Sequence, residues 1–103
     1  MKIRYEILLP LEYNDGLKVE DELFDWTLNE LVEKFGGVTF YSIPIKGLWI
    51  ENNIMFGDKL VRICVDIEDT EENTEYFKRY KEKLKERFKQ SEIWITAYNL
   101  RII

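Results

Sequence analysis

The sequence predicts an α+β domain in which two helices cover one face of a four-stranded antiparallel sheet. Four segments carry apolar residues at every second position, which is typical of half-buried strands. Two other segments carry them at every third or fourth position, as in helices that bury a single stripe. The order is strand, helix, strand, strand, helix, strand, and 103 residues suit one domain spanning 1–103.

The first strand is predicted from about Lys2 to Leu9, and the first helix from about Glu20 to Phe35. Gly36 and Gly37 mark the end of this helix. Its apolar stripe is formed by Phe24, Leu28, Leu31, Val32 and Phe35. Trp26 lies about 200° around the helix from Phe24, so it covers a sheet edge or belongs to a binding surface.

The second strand is predicted over 38–43, broken at Pro44, because proline cannot donate to a central ladder and suits an edge strand. Residues 47–50 and 54–56 flank Glu51-Asn52-Asn53, which predicts a hairpin extension with the asparagines in its turn. The third strand, over 59–67, has the clearest alternation of apolar and polar residues.

The second helix is predicted to begin with Asp69 or Thr70 as its N-cap and to end near Gln90. Its buried stripe is formed by Phe77, Tyr80, Leu84 and Phe88. The last strand is predicted over 92–103. Right-handed crossovers then favour a ferredoxin-like βαββαβ arrangement, with the first and third strands in the centre of the sheet.

The face of this sheet that no helix covers is predicted to carry charges and aromatic rings. Its residues are Arg4, Glu6, Leu8, Arg62, Cys64, Asp66, Trp94, Thr96 and Tyr98, joined by Thr39 or Tyr41. In one interpretation the opposite charges form cross-strand pairs and the aromatics only favour strand formation. In the other the face contacts a partner or a ligand, since arginine and aromatic residues are enriched at interface anchors. The sequence leaves both open.

The composition excludes several chemistries. No residue is histidine, so neither a histidine-activated nucleophile nor a histidine-ligated metal can form. The single Cys64 excludes an intramolecular disulfide and a multi-cysteine zinc site. The glycines match no phosphate-binding or dinucleotide-binding loop. We therefore expect no metal site and no cofactor.

The net charge and the hydropathy of the sequence limit the kinds of partner and the cellular compartment to be expected. A formal net charge of −5 argues against nucleic acid as a partner. No segment approaches the ~20 apolar residues of a membrane span. The first ten residues contain charged side chains and end at Pro10, so they do not suit a signal peptide. A single cysteine in the chain fits a reducing compartment. We expect a cytoplasmic protein with no membrane partner.

The charged residues of the open face could support chemistry only weakly. Glu6 and Asp66, on adjacent central strands, could approach one another, and paired carboxylates can do acid–base work or hold a hard cation. We expect Arg4 and Arg62 to neutralise them instead. Cys64 beside Arg62 would have a lowered pKa, although a small buried or interfacial residue is the commoner role.

Three short motifs carry a resemblance to a known group. They are Phe35-Gly36-Gly37-Val38-Thr39, Gly47-Leu48-Trp49, and Tyr80 with Phe88-Lys89-Gln90 and Ile93. Over about residues 23–95 this pattern resembles a set of small bacterial proteins known as a domain of unknown function. The resemblance implies one module of constant length. No activity and no catalytic residue come with it.

Two functional hypotheses follow. The first is a non-enzymatic role in association through the open sheet face or a sheet edge, either as a homodimer or other homo-oligomer or with a different interaction partner. The second is a small-molecule binding protein or enzyme that uses the charged face and a pocket near Trp49 and Glu51. The candidate ligand or interface residues are Arg4, Glu6, Arg62, Asp66, Trp94, Tyr98 and Trp49. Catalytic residues, substrate and reaction are not indicated.

Overall fold

A computed structural model describes residues 1–103 and confirms the ferredoxin-like α+β fold. The elements are β1 (Lys2–Pro10), α1 (Asp21–Phe35), β2 (Thr39–Glu51), β3 (Ile54–Glu68), α2 (Glu71–Arg87) and β4 (Trp94–Leu100). The sheet order is β2-β3-β1-β4, and every neighbouring pair is antiparallel. As predicted, the first and third strands are central.

The core lies between the two helices and one face of the sheet. Alternate residues of the central strands are buried there, among them Tyr5 and Ile7 of β1 and Ile63 and Val65 of β3. The predicted stripe of the second helix is confirmed, because its four apolar residues are all buried. The stripe of α1 is narrower than predicted, since Val32 is 42% exposed.

The helix ends follow the capping chemistry of the sequence. Thr70 is the N-cap of α2, and its hydroxyl accepts a hydrogen bond of 3.1 Å from the Asn73 backbone N–H. Gly36 ends α1 in the left-handed conformation, with φ of 86°, which glycine adopts at no steric cost.

The predicted break of the second strand at Pro44 is wrong. β2 runs through Pro44 to Glu51, and the pairing with β3 shifts register between Tyr41 and Ile45. Pro44 fits because β2 is an edge strand and this irregularity removes it from the regular ladder. The predicted asparagine turn is confirmed, with positive φ at Asn52 and Asn53.

The hairpin formed by the distal parts of β2 and β3, residues 43–58, extends beyond the core. None of its residues is buried. We call this segment the arm. Because no helix covers it, its large apolar side chains are exposed on both sides of the ribbon.

The N-cap of α2 provides a direct test of the helix boundary. We expect Thr70→Ala to lower the free energy of unfolding by about 1 kcal/mol, because one backbone donor of the first turn loses its partner. Thr70→Ser keeps the hydroxyl and is the matched control. Urea unfolding followed by circular dichroism measures both, and equal stabilities of the two variants would contradict this role.

Candidate functional site

Strand register brings the predicted charged residues together on the sheet face that the helices leave open. Arg4 lies opposite Asp66 on β3 and opposite Tyr98 on β4. Glu6 lies opposite Cys64 and Thr96, one step along the same face. We call this surface the open face. Whether these residues bind anything stays a prediction.

Arg4 and Asp66 form an ion pair in which the guanidinium donates to both carboxylate oxygens. The Arg4 guanidinium donates from Nε to Oδ1 at 2.7 Å and from Nη2 to Oδ2 at 2.9 Å. This two-pronged geometry is the strongest form of an arginine–carboxylate contact. It holds the pKa of Asp66 below its ordinary range and raises the pKa of Arg4. Asp66 is therefore unsuited to act as a general base near neutral pH.

Glu6 and Arg62 form a much looser pair. Arg62 Nη1 lies 3.6 Å from Glu6 Oε1, beyond a normal hydrogen bond, while Glu6 Oε2 accepts a bond of 3.1 Å from the Tyr98 hydroxyl. The Arg62 guanidinium instead stacks on Tyr41, with its central carbon 4.2 Å from the ring centroid. The two predicted carboxylates are thus each placed beside an arginine, as expected.

Cys64 lies beneath these side chains and is only 3% exposed. Burial, aided by nearby Glu6, raises the pKa of the thiol more than Arg4 and Arg62 lower it. The expectation of a lowered pKa is therefore wrong, because desolvation outweighs the two arginines. The alternative role as a small buried residue is confirmed.

Aromatic side chains border the charges on the open face. Trp94, the first residue of β4, lies opposite Leu8 and is 63% exposed. Trp49 lies on the arm, opposite Phe56, and the two rings stack with centroids 5.8 Å apart. Residues of the open face and the arm therefore form one continuous mixed surface along β3.

The pocket predicted near Trp49 and Glu51 differs from the cavity observed beside the arm. A cavity of about 470 Å³ lies at the base of the arm, and neither of these two residues lines it. Its walls are formed by Glu12, Pro44, Ile45, Lys46, Gly57, Asp58 and Lys59. Trp49 pairs with Phe56 across the ribbon, so it packs within the arm rather than over the sheet edge.

Sequence reasoning missed a second polar cluster, between the helices. The Arg87 side chain is 3% exposed, donates to Thr27 Oγ1 at 3.0 Å and forms an ion pair with Glu30 at 3.0 Å. Its guanidinium carbon lies 3.6 Å from the Trp26 ring centroid. Tyr80 donates to Glu30 at 2.7 Å. The position of Trp26 outside the apolar stripe was the only sequence signal.

The titratable residues do not converge on a metal site. No group of three or more aspartate, glutamate or cysteine side chains lies close enough to hold a metal ion. No helix combines the length and the hydropathy needed to cross a bilayer.

Comparison with known proteins supports the fold. No protein family model and no curated protein matches the sequence. Among solved structures, a phage SAM lyase in complex with S-methyl-5'-thioadenosine has a TM-score of 0.71 and 16% identity, covering 95% of this chain and 81% of its own. The periplasmic divalent cation tolerance protein CutA from Archaeoglobus fulgidus has a TM-score of 0.66 and 16% identity, covering 99% and 86%.

A third similar structure is the divalent cation tolerance protein CutA1 from Thermus thermophilus. Its TM-score is 0.65 at 16% identity, with coverage of 97% of this chain and 84% of its own. At such identities the likeness shows a shared fold and no shared activity. The predicted ferredoxin-like fold is confirmed, and membership of the group of small bacterial proteins stays a prediction.

The Arg4–Asp66 pair makes stability depend on pH. Because the folded-state pKa of Asp66 is below its ordinary value of 3.8, the carboxylate contributes stability above that pH and loses it as pH falls. We expect Asp66→Asn to destabilise the protein at about pH 7, with the difference from wild type shrinking as pH falls below 3.8. Urea unfolding at several pH values measures this.

Asp25→Asn is the control for this measurement, since it removes an exposed helix carboxylate that forms no ion pair. A wild-type advantage over Asp66→Asn that did not shrink as pH fell below 3.8 would contradict the role assigned to the pair.

Proposed function

We propose that this protein is an interaction module that assembles with copies of itself through the open face and the arm. The observation that carries the proposal is the arm, whose large apolar side chains are exposed on both sides. Leu48, Ile50, Ile54 and Met55 are each more than half exposed. A two-stranded ribbon without a covering layer is marginally stable in water, so a partner surface is expected to cover it.

Charge favours a second copy of this chain as the occupant. The four open-face charges, Arg4, Glu6, Arg62 and Asp66, sum to zero, and the arm carries one lysine against two acids. The whole chain carries −5, so repulsion between two copies is weakest where these surfaces meet. A basic macromolecule would be attracted to the acidic remainder instead.

The exposed area is sufficient for a stable contact. A standard interface buries about 800 Å² on each partner, and a large aromatic side chain supplies about 150–250 Å² when fully buried. The aromatic residues Trp49, Phe56, Trp94 and Tyr98 are 41–63% exposed. The aliphatic residues of the arm add to this area, so a contact covering both surfaces reaches the required size.

The alternative, a small-molecule binding protein or enzyme on the open face, receives less support. Arg4 already donates to both carboxylate oxygens of Asp66. None of the four charged residues of the open face lines the cavity at the base of the arm. One similar structure was determined with S-methyl-5'-thioadenosine, and others are named for divalent cation tolerance, which makes these compounds the natural probes.

We expect neither S-methyl-5'-thioadenosine nor a series of divalent cations to raise the thermal unfolding midpoint of the protein. Differential scanning fluorimetry measures the midpoint with each probe. A saturable rise of several degrees that is lost in Arg62→Ala would favour the alternative and place its site on the open face.

Association itself is tested by light scattering after gel filtration. We expect an oligomer at micromolar concentration, and we expect Trp94→Arg and Met55→Glu to shift it towards monomer, because each places a charge in an apolar contact. Helical circular dichroism should stay unchanged. Leu17→Arg is the matched control, because Leu17 is equally exposed but lies in the loop before α1.

A wild-type protein that remains monomeric at high micromolar concentration would overturn the proposal. Oligomers that persist in both the Trp94 and the Met55 variants would place the contact elsewhere.

A further inference from the structure

We propose that Arg62 is the residue by which copies of this chain recognise one another, with its guanidinium donating to the Glu6 carboxylate of a neighbouring copy. The inference rests on the proposed function and adds a specific polar contact to an otherwise apolar and aromatic interface.

The first observation is that Arg62 is pre-positioned but forms no side-chain hydrogen bond within its own chain. Its closest carboxylate oxygen, on Glu6, is 3.6 Å away, and its Nε is buried without a partner. Arg4, on the same face, spends two donors on Asp66. The two arginines therefore differ: Arg4 donates two hydrogen bonds to a carboxylate of its own chain, whereas the terminal N–H groups of Arg62 donate none within the chain.

The second observation is that Arg62 is held in place despite this. The Arg62 guanidinium lies over the Tyr41 ring, 4.2 Å from its centroid, a contact that restrains its position, and its side chain is 35% exposed. A planar group that is already oriented loses little conformational freedom when it binds a carboxylate.

The third observation is a matching acceptor on the same surface. Glu6 Oε2 accepts from Tyr98, but Glu6 Oε1 has no hydrogen bond and lies near Arg62 only at ion-pair distance. An unused donor and an unused acceptor on one face are self-complementary: Arg62 of one copy can meet Glu6 of the next.

Assembly would make a hydrogen bond between Arg62 and Glu6 of two copies energetically favourable. Once the surrounding aromatics are covered, water is lost from both groups, and an unsatisfied buried charge costs more than a satisfied one contributes. A direct hydrogen bond between copies removes that cost and selects the register in which the two faces meet. Asp66 is a poorer acceptor than Glu6 for this contact, because Arg4 already donates to both of its oxygens.

Charge exchange tests the inference. We expect Arg62→Glu and Glu6→Arg, each alone, to associate roughly 30-fold or more weakly than wild type, since each makes the contact between copies repulsive. An equimolar mixture of the two variants should regain association, because each supplies the charge that the other lacks. Sedimentation velocity gives the affinities, and native mass spectrometry identifies oligomers containing both chains.

Arg79→Glu is the matched control, because it makes the same charge change on the exposed surface of α2 and should leave the affinity unchanged. If either reversal prevents folding, Arg62→Gln replaces it. The readout is then salt dependence: added sodium chloride should weaken wild-type association more steeply than that of Arg62→Gln.

The possible failures are distinguishable. A monomeric wild-type protein overturns both this inference and the proposed function. Wild-type affinity in Arg62→Glu, or two reversal variants that do not associate when mixed, overturns this inference alone. Stabilisation of the protein by phosphate or acetate that is lost in Arg62→Gln would show a free oxyanion as the occupant and would also overturn it.

Discussion

Nine consecutive antiparallel residue pairs join β1 to β3, from Lys2 with Glu68 to Pro10 with Leu60, and the two faces of the protein depend on that register. A slip of one residue would place Ile7 and Ile63 on opposite faces, so one strand would turn its apolar residues towards solvent and bury its charged ones. The cost of burying charges such as Arg4 and Glu6 under the helices therefore opposes misregistry in addition to the loss of core packing. The core and the open face both result from the alternation of apolar and polar residues along β1 and β3.

Element lengths explain why the arm has no cover. Helices of 15 and 17 residues are about 22–26 Å long at 1.5 Å per residue. A strand of 15 residues, such as β3, extends roughly 40–50 Å. The hairpin of β2 and β3 therefore extends past the helical layer, and its distal part cannot join the core. The length of β3 is thus the reason that the apolar residues of the arm are exposed, and this exposure is the basis of the proposed association.

The composition of the open face follows from local periodicity, and the strand order follows from the order of elements and right-handed crossovers, so both could be predicted. Alternation in residues 59–67 assigns each side chain to a face without any knowledge of distance. The break predicted at Pro44 failed because proline is costly only where its missing N–H has a partner, and an irregular edge strand offers none. The Arg87 cluster depends on how two helices pack, and a single sequence does not specify that geometry. The difference between Arg4 and Arg62 is a matter of about 1 Å in a side-chain position, well below what a pattern of residue types can resolve.

The buried position of Cys64 has a practical consequence for studying this protein. A thiol reagent can reach the sulfur only when the side chains above it move apart or the strands separate. The rate of labelling of this single cysteine therefore reports how often the centre of the sheet opens. A subunit bound across the open face would slow that opening. The labelling rate of Cys64 would therefore measure both transient opening of the sheet and dissociation of the subunit.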